Sequence, residues 1–202
     1  MAHCNRPIYK YRSPFCCANF GEQIMPSDKD LVYLAKQGSK GAFDKLVKKY
    51  RDQMLALAYD FVNDYELAGD IVQEGFINAY RRIRDFEERA KFSSWLYRIV
   101  VNAALDALRK KRQLSAATDV NDINPDDLPA VTSLFAGDGP DDLLLTAIKA
   151  LTENQQTAII LRYFHDKDIY EIAEILACSE STVRVHLHRA IRNLGDSITR
   201  NK

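Results

Sequence analysis

No stretch of this 202-residue chain is apolar for long enough to cross a bilayer, which takes about 20 consecutive apolar residues. No continuous apolar segment follows Arg6, Lys10 and Arg12, so a secretory signal is not expected either, and the chain reads as cytoplasmic. Alternating polar and apolar runs are nearly absent, and glycine and proline are scarce at eight and six residues. That scarcity argues against sheets closed by tight turns and for an all-α protein. The four cysteines (Cys4, Cys16, Cys17 and Cys178) do not have the spacing of a zinc finger, so no metal is expected. Neither a glycine-rich phosphate loop nor a nucleophile-elbow serine occurs, so neither an enzyme nor a cofactor is expected. Formal net charge is zero, short of the basic excess that most free-standing DNA binders carry.

That zero conceals an asymmetry. Between Arg81 and Arg112 the cations (Arg81, Arg82, Arg84, Arg89, Lys91, Arg98, Arg109, Lys110, Lys111, Arg112) outnumber Asp85, Glu87, Glu88 and Asp106. From Gln113 to Asp142 there is no cation, against Asp119, Asp122, Asp126, Asp127, Asp138, Asp141 and Asp142. A basic block beside an acidic one implies separate surfaces for separate partners.

Apolar periodicity divides the chain into two small helical domains joined by a flexible acidic linker. Residues 1–27 form a leader without periodicity that holds His3 and three of the cysteines. It reads as a disordered tail or an extension upstream of a start at Met25, with a thiol or metal sensor as the sharper alternative. Residues 28–112 read as one helical domain. Leu31, Leu34 and Ala35 mark a short helix closed by Gly38. Phe43, Leu46, Val47, Tyr50, Met54, Leu57, Ala58 and Phe61 mark a longer one, and Ala68, Ile71, Val72, Phe76, Ala79 and Ile83 a third. A polar loop from Arg84 to Lys91 leads into a helix from about Ser93 to Lys111. Residues 113–140, broken by Asn124-Pro125, Leu128-Pro129 and Gly137-Asp138-Gly139-Pro140, read as the linker. In residues 141–202, Thr152 with Gln155 and Asp168 with Glu171 have capping-box spacing and start helices near 153 and 169.

The last two helices read as a helix-turn-helix, with Asp168 opening the first and Thr182-Val183-Arg184 inside the second. Val183, Leu187, Ala190 and Leu194 share the inner face of the second helix. Ser181, Arg184, Val185, His188, Arg189 and Arg192 point outward, where arginine suits a guanine edge and the others suit phosphates or a thymine methyl. His186 and His188 lack the neighbours a metal site needs. Cys178 falls in the turn as a small packing residue.

Three surfaces of the larger domain stand out. On the helix from Ser93, Leu96, Ile99, Val100, Ala103 and Ala107 share a core face. Arg98, Asn102, Leu105, Arg109 and Arg112 fall on another stripe, read either as a phosphate track or as an ordinary solvated face. Before them, Phe86, Phe92 and Trp95 cluster with Arg89, Lys91, Ser93 and Ser94. Aromatics among cations suit stacking on unpaired bases, although Phe92 and Trp95 equally suit anchoring the loop. On the preceding helix, Asp70, Gln73, Glu74 and Asn78 form an acidic and amide face that suits a basic protein partner or solvent.

Three motifs together carry a resemblance: Asp70-Ile71-Val72-Gln73-Glu74-Gly75-Phe76-Ile77-Asn78-Ala79-Tyr80, then Phe92-Ser93-Ser94-Trp95-Leu96-Tyr97-Arg98-Ile99-Val100-Val101-Asn102-Ala103-Ala104, then Thr182-Val183-Arg184. In this order the chain, over about residues 28–198, resembles the extracytoplasmic-function sigma factors of bacterial RNA polymerase. The resemblance implies that 28–112 is sigma region 2 and 141–202 sigma region 4. Asp70, Gln73, Glu74 and Asn78 would dock on the clamp helices of the largest polymerase subunit. Phe86, Arg89, Lys91, Ser94, Trp95, Arg98, Asn102, Arg109 and Arg112 would capture and hold the melted minus-ten element. Ser181, Arg184, Val185, His188, Arg189 and Arg192 would meet the minus-thirty-five element, close to the flap of the second-largest subunit. The linker would enter the RNA exit path. Partners implied are core polymerase, promoter DNA and a dedicated anti-sigma protein, with no membrane insertion.

One departure matters. Recognition helices of this family often read Arg-Ser-Arg after Thr-Val, whereas here Arg184-Val185-His186 follows, so the promoter sequence does not carry over. A free-standing helix-turn-helix regulator, with the larger domain as sensor or dimeriser, is the competing class. It predicts stable binding of duplex promoter DNA without polymerase.

Overall fold

The computed structural model describes residues 26–87, 90–118 and 140–200. The leader cysteines, Arg89 and residues 119–139 of the expected linker lie outside the described residues, while α4 continues past Lys111 to Thr118, through the first six residues expected to be linker. Among the described residues every regular element is helical. The larger half comprises α1 (Asp28–Lys36), α2 (Lys40–Val62), α3 (Tyr65–Arg82), a 3-10 turn (Ile83–Asp85) and α4 (Phe92–Thr118). The smaller half comprises α5 (Pro140–Lys149), α6 (Glu153–Ile159), a π-helical turn (Ile160–Phe164), α7 (Ile169–Leu176) and α8 (Glu180–Arg200).

Local chemistry sets the boundaries. Ser27 opens α1 with a capping box, its hydroxyl accepting from the Asp30 N–H while the Asp30 carboxylate accepts from the Ser27 N–H. Asp64 caps α3 by accepting from two backbone N–H groups, and Asn63 ends α2 in the left-handed region, which asparagine tolerates. Asp168 and Glu171 form the expected capping box on α7. Thr152 does not cap α6 through its side chain. Its capping-box partner is engaged elsewhere, since buried Gln155 accepts from the Asn193 amide of α8.

The stripes on α2 and α3 face inward as their periodicity predicts, with Leu46, Met54, Leu57, Ala58, Ala68 and Ala79 fully buried. In α1 the inward residue is Val32, and Leu34 is 45% exposed, because the short helix rests on α2 through Leu31, Val32 and Ala35. Gly75 brings α3 close to α4: a Cβ there would sit 3.1 Å from Val100 Cγ2. A tight crossing of this kind leaves no room for a methyl group unless the neighbour shifts.

The two halves are not separate bodies. One buried cluster runs from Leu31 through Leu105 of the first half into Ile160, Leu161, Ile172, Ala173 and Val183 of the second. α4 is therefore apolar on two sides. Leu96 and Val100 face α2 and α3, while Tyr97, Val101 and Leu105 form a second stripe at i, i+4, i+8 spacing that is also buried. Leu105, placed by its helical angle among the solvent-facing cations, is only 7% exposed. The helical angle was right, but the neighbouring stripe is covered by packing against the second half, which a single-helix projection does not contain.

Candidate nucleic-acid interface

The helix-turn-helix is built as its sequence requires. α7 ends at Ala177 in the left-handed region (φ 53°), an unusual conformation for alanine that turns the chain sharply. Ser179 then accepts from the Thr182 N–H and so satisfies the start of α8. Val183 and Ala190 are fully buried, Leu187 and Leu194 partly so. Ser181, Arg184, Val185, His188, Arg189 and Arg192 are all exposed, which leaves one continuous face of α8 open to a groove. Among the described residues Arg184 pairs with Glu180 of its own helix, at 3.1 Å. Cys178 is half-buried against the core, and burial pushes its thiol pKa up, away from reactivity.

The surface around α4 is different. Phe86, Phe92 and Trp95 form one aromatic cluster with centroids 4.9–6.0 Å apart. Phe86 and Phe92 are buried, and Lys36 lies over the Phe86 ring, so those two anchor the loop; Trp95 stays half-exposed at its edge. Arg98, Asn102, Arg109 and Arg112 are exposed along α4 as the stripe predicts. Ser94, by contrast, is 4% exposed and donates to Glu174 at 2.9 Å. Lys91 pairs with Glu171 at 3.3 Å. Arg109 makes two hydrogen bonds to Glu153 and one to Asp106. That pairing holds the Glu153 carboxyl below the usual range and raises the Arg109 guanidinium.

Glu153, Glu171 and Glu174, the acidic partners from the second half, carry no functional role in the sequence reading. Glu171 was visible only as a cap, although Glu171 and Glu174 at i, i+3 spacing share one outward face of α7. Nearby, His165 Nε2 lies 2.9 Å from Asp60 at the end of α2, its ring edge-on to Tyr97, and Lys167 covers the other ring contact of Tyr97 at 4.3 Å. Burial and the neighbouring Glu171 push the Tyr97 phenol up to about 12.

On α3, Asp70, Gln73 and Glu74 are exposed and Asn78 is half-exposed. The sequence reading missed the apolar part of this face. Gln73 lines a groove of about 650 Å³ between α2 and α3, shared with Phe43, Val47, Phe76, Ile77 and Tyr80. Ile77 and Tyr80 are 43% and 39% exposed along this groove. Among the described residues, no cluster of histidine, cysteine or carboxylate side chains could hold a metal, and no helix is long and apolar enough to span a membrane.

Among the described residues, an all-helical body with a helix-turn-helix at one end and a cationic, aromatic surface on another helix has the features of a DNA-binding protein. The family patterns described as Sigma-70 region 2 and Sigma-70, region 4 match residues 46–113 and 141–194. The chain is 33% identical to the RNA polymerase sigma-H factor of Pseudomonas aeruginosa, over 81% of this chain and 89% of that one. It is 33% identical to the ECF RNA polymerase sigma factor SigW of Bacillus subtilis (80% and 91% covered) and 34% to the ECF RNA polymerase sigma-E factor of Haemophilus influenzae (81% and 91%). The fold matches that of CnrH, solved in complex with the cytosolic domain of CnrY, at a TM-score of 0.63 and 21% identity, covering 87% of this chain and 99% of that one. It also matches the sigma factor RpoE of Bartonella quintana, solved with the anti-sigma factor NepR, at 0.57 and 22% (79% and 98% covered). The chain belongs to the sigma-70 family, in its extracytoplasmic-function (ECF) group.

Proposed function

We propose that this chain directs core RNA polymerase to a specific set of promoters and helps melt them, within a stress or envelope response. Residues 28–112 serve as region 2 and 141–202 as region 4, joined by residues 113–140, of which the first six continue α4. The observation that carries this assignment is the pairing of an open recognition face on α8 with a cation-and-aromatic surface on α4 in one ECF-group chain.

Each surface then takes a role its chemistry suits. Arg184 offers a bidentate contact to guanine, Val185 an apolar contact to a thymine methyl, and Ser181, His188, Arg189 and Arg192 flank them at the minus-thirty-five element. Trp95, with its exposed edge, stacks an unpaired base of the minus-ten element, while Asn102 and Ser94 hydrogen-bond it. Phe86 supports the loop from beneath. Lys91, Arg98, Arg109 and Arg112, with Arg89, follow the backbone. Asp70, Gln73, Glu74 and Asn78 dock on the clamp helices of the largest subunit, whose apolar side chains enter the groove beside Ile77 and Tyr80. Phosphodiester chemistry belongs to the polymerase, and this chain supplies position and strand capture without catalysis. It acts in the cytoplasm, and a dedicated anti-sigma protein is its expected regulator.

Transcription in vitro with core polymerase over a genomic library tests the reading and recovers the promoter together. Discrete start sites that share two spaced elements are the expected result. Stable binding of the factor alone to duplex DNA, with no polymerase-dependent start sites, would make it a free-standing regulator instead.

A further inference from the structure

The recognition helix carries one acid where DNA would press closest. From Glu180 to Arg192 the cations are Arg184, Arg189 and Arg192, and Glu180 is the sole carboxylate. It stands in the first turn of α8, the end by which a recognition helix meets base edges in the groove. A carboxylate at that end is repelled by the phosphates flanking the groove. The turn itself does not call for it as a cap. Ser179 already serves the start of α8: its hydroxyl accepts from the Thr182 N–H at 3.2 Å and lies 2.7 Å from Ser181 Oγ and 2.8 Å from Thr182 Oγ1.

Glu180 turns instead to Arg184, one helical turn along, and accepts from its Nη2 at 3.1 Å. Both side chains are exposed, Arg184 at 59% and Glu180 at 46%, so the pair contributes little to folding stability. What the pair alters is the arginine. A lone guanidinium meets phosphate and guanine alike. Held by a carboxylate, it loses much of its attraction for phosphate, yet its rigid fork keeps N–H groups for guanine O6 and N7. The remaining lone pairs of Glu180 accept only. In the major groove they suit the N4 amino group of cytosine, and the acceptor edges of guanine and thymine oppose them.

We propose that Glu180 is a specificity-determining residue of the minus-thirty-five contact. It fixes Arg184 for a guanine, withholds it from phosphates and itself selects cytosine at the adjoining base pair. This role rests on the assignment of Arg184 to that element. Discrimination then comes from a repulsive group as well as an attractive one, because the carboxylate penalises every wrong register of the helix on DNA.

The test uses the full chain with core polymerase and the promoter recovered by the library transcription, each minus-thirty-five base pair being substituted in turn. Competitive initiation rates give a preference at every position. Glu180→Gln should lose roughly tenfold of the preference at the Arg184 guanine and at the adjoining cytosine. Its binding should also depend on salt more steeply, by about one phosphate contact. Glu180→Asp keeps the first-turn charge that favours the helix dipole, but its shorter side chain does not reach Arg184, so it should lose the same preferences. In the double variant Glu180→Gln, Arg184→Ala the guanine preference should fall no further than in Arg184→Ala alone. Native preferences in Glu180→Gln, beside an altered guanine position in Arg184→Ala, overturn the role of Glu180 and leave the reading of Arg184 standing. A native pattern in Glu180→Asp beside a loss in Glu180→Gln overturns it too, since charge at the helix start is then sufficient. If neither Arg184→Ala nor Arg189→Ala alters any position, α8 does not read the element, and the role of Glu180 falls with that assignment.

Discussion

α4 and α8 both carry cations at helical spacing, yet the structure treats them oppositely. On α8 all six outward residues are exposed, and among the described residues Arg184 pairs with Glu180 of its own helix. At α4, Lys91, Ser94 and Arg109 each already hold a carboxylate from the other half. A duplex reader can be left open, because non-specific duplex contacts are weak without a surplus of positive charge. A surface that grips unpaired bases has no such safeguard, since every base has a face to stack.

The largest expected effect probes the α4 side. Trp95→Ala should lower open-complex formation by the loss of one stacked base, about 1–3 kcal/mol, with Trp95→Phe retaining most of it. Permanganate reactivity of the melted strand reads this directly, and equal reactivity in all three proteins would remove Trp95 from strand capture. On the α8 side, Arg184→Ala should cost about 1–3 kcal/mol on the matched minus-thirty-five element. The same loss on a scrambled element would turn Arg184 into a phosphate contact and weaken the contrast between reader and gripper.

Smaller effects follow from the way the helices are held. Asp168→Ala removes the cap of α7 and should destabilise the helix-turn-helix by about 0.5–2 kcal/mol, measured as a lower urea midpoint. Because Tyr97 has a folded pKa of about 12 against an ordinary 10.0, the folded form holds its proton where the unfolded form loses it. Stability from this group is therefore intact below about pH 10 and is lost as pH rises to about 12, so alkaline titration should show a phenol that ionises late and together with unfolding. At the acid end the sign reverses for Glu153, whose carboxyl is held low by Arg109. Its contribution is present above the ordinary carboxylate pKa and disappears as pH falls through the folded value. Interdomain fluorescence transfer should report a modest opening there, which Glu153→Gln abolishes.

Much of this was legible from sequence because it depended on one helix at a time. The stripe from Phe43 to Phe61, the Asp168–Glu171 box and the outward set on α8 each follow from a 3.6-residue period and a cap. What escaped was always a matter of two elements. Leu105 sits at a solvent-facing angle of α4 but is covered by packing against the second half. Thr152 has capping-box spacing, but Gln155 serves Asn193 instead. Glu171 and Glu174 look like ordinary surface acids until Lys91 and Ser94, 80 residues earlier, are placed opposite them. Ile77 and Tyr80 belong to an apolar groove that only the pairing of α2 with α3 creates.

The second apolar stripe of α4 has a consequence for the life of the molecule in a crowded cell. Tyr97, Val101 and Leu105 stay dry only while something lies over them. A factor swung open in free solution would wear that stripe as an adhesive skin, ready for aggregation or for proteases that survey exposed apolar surface. The contacts between the two halves keep that stripe covered.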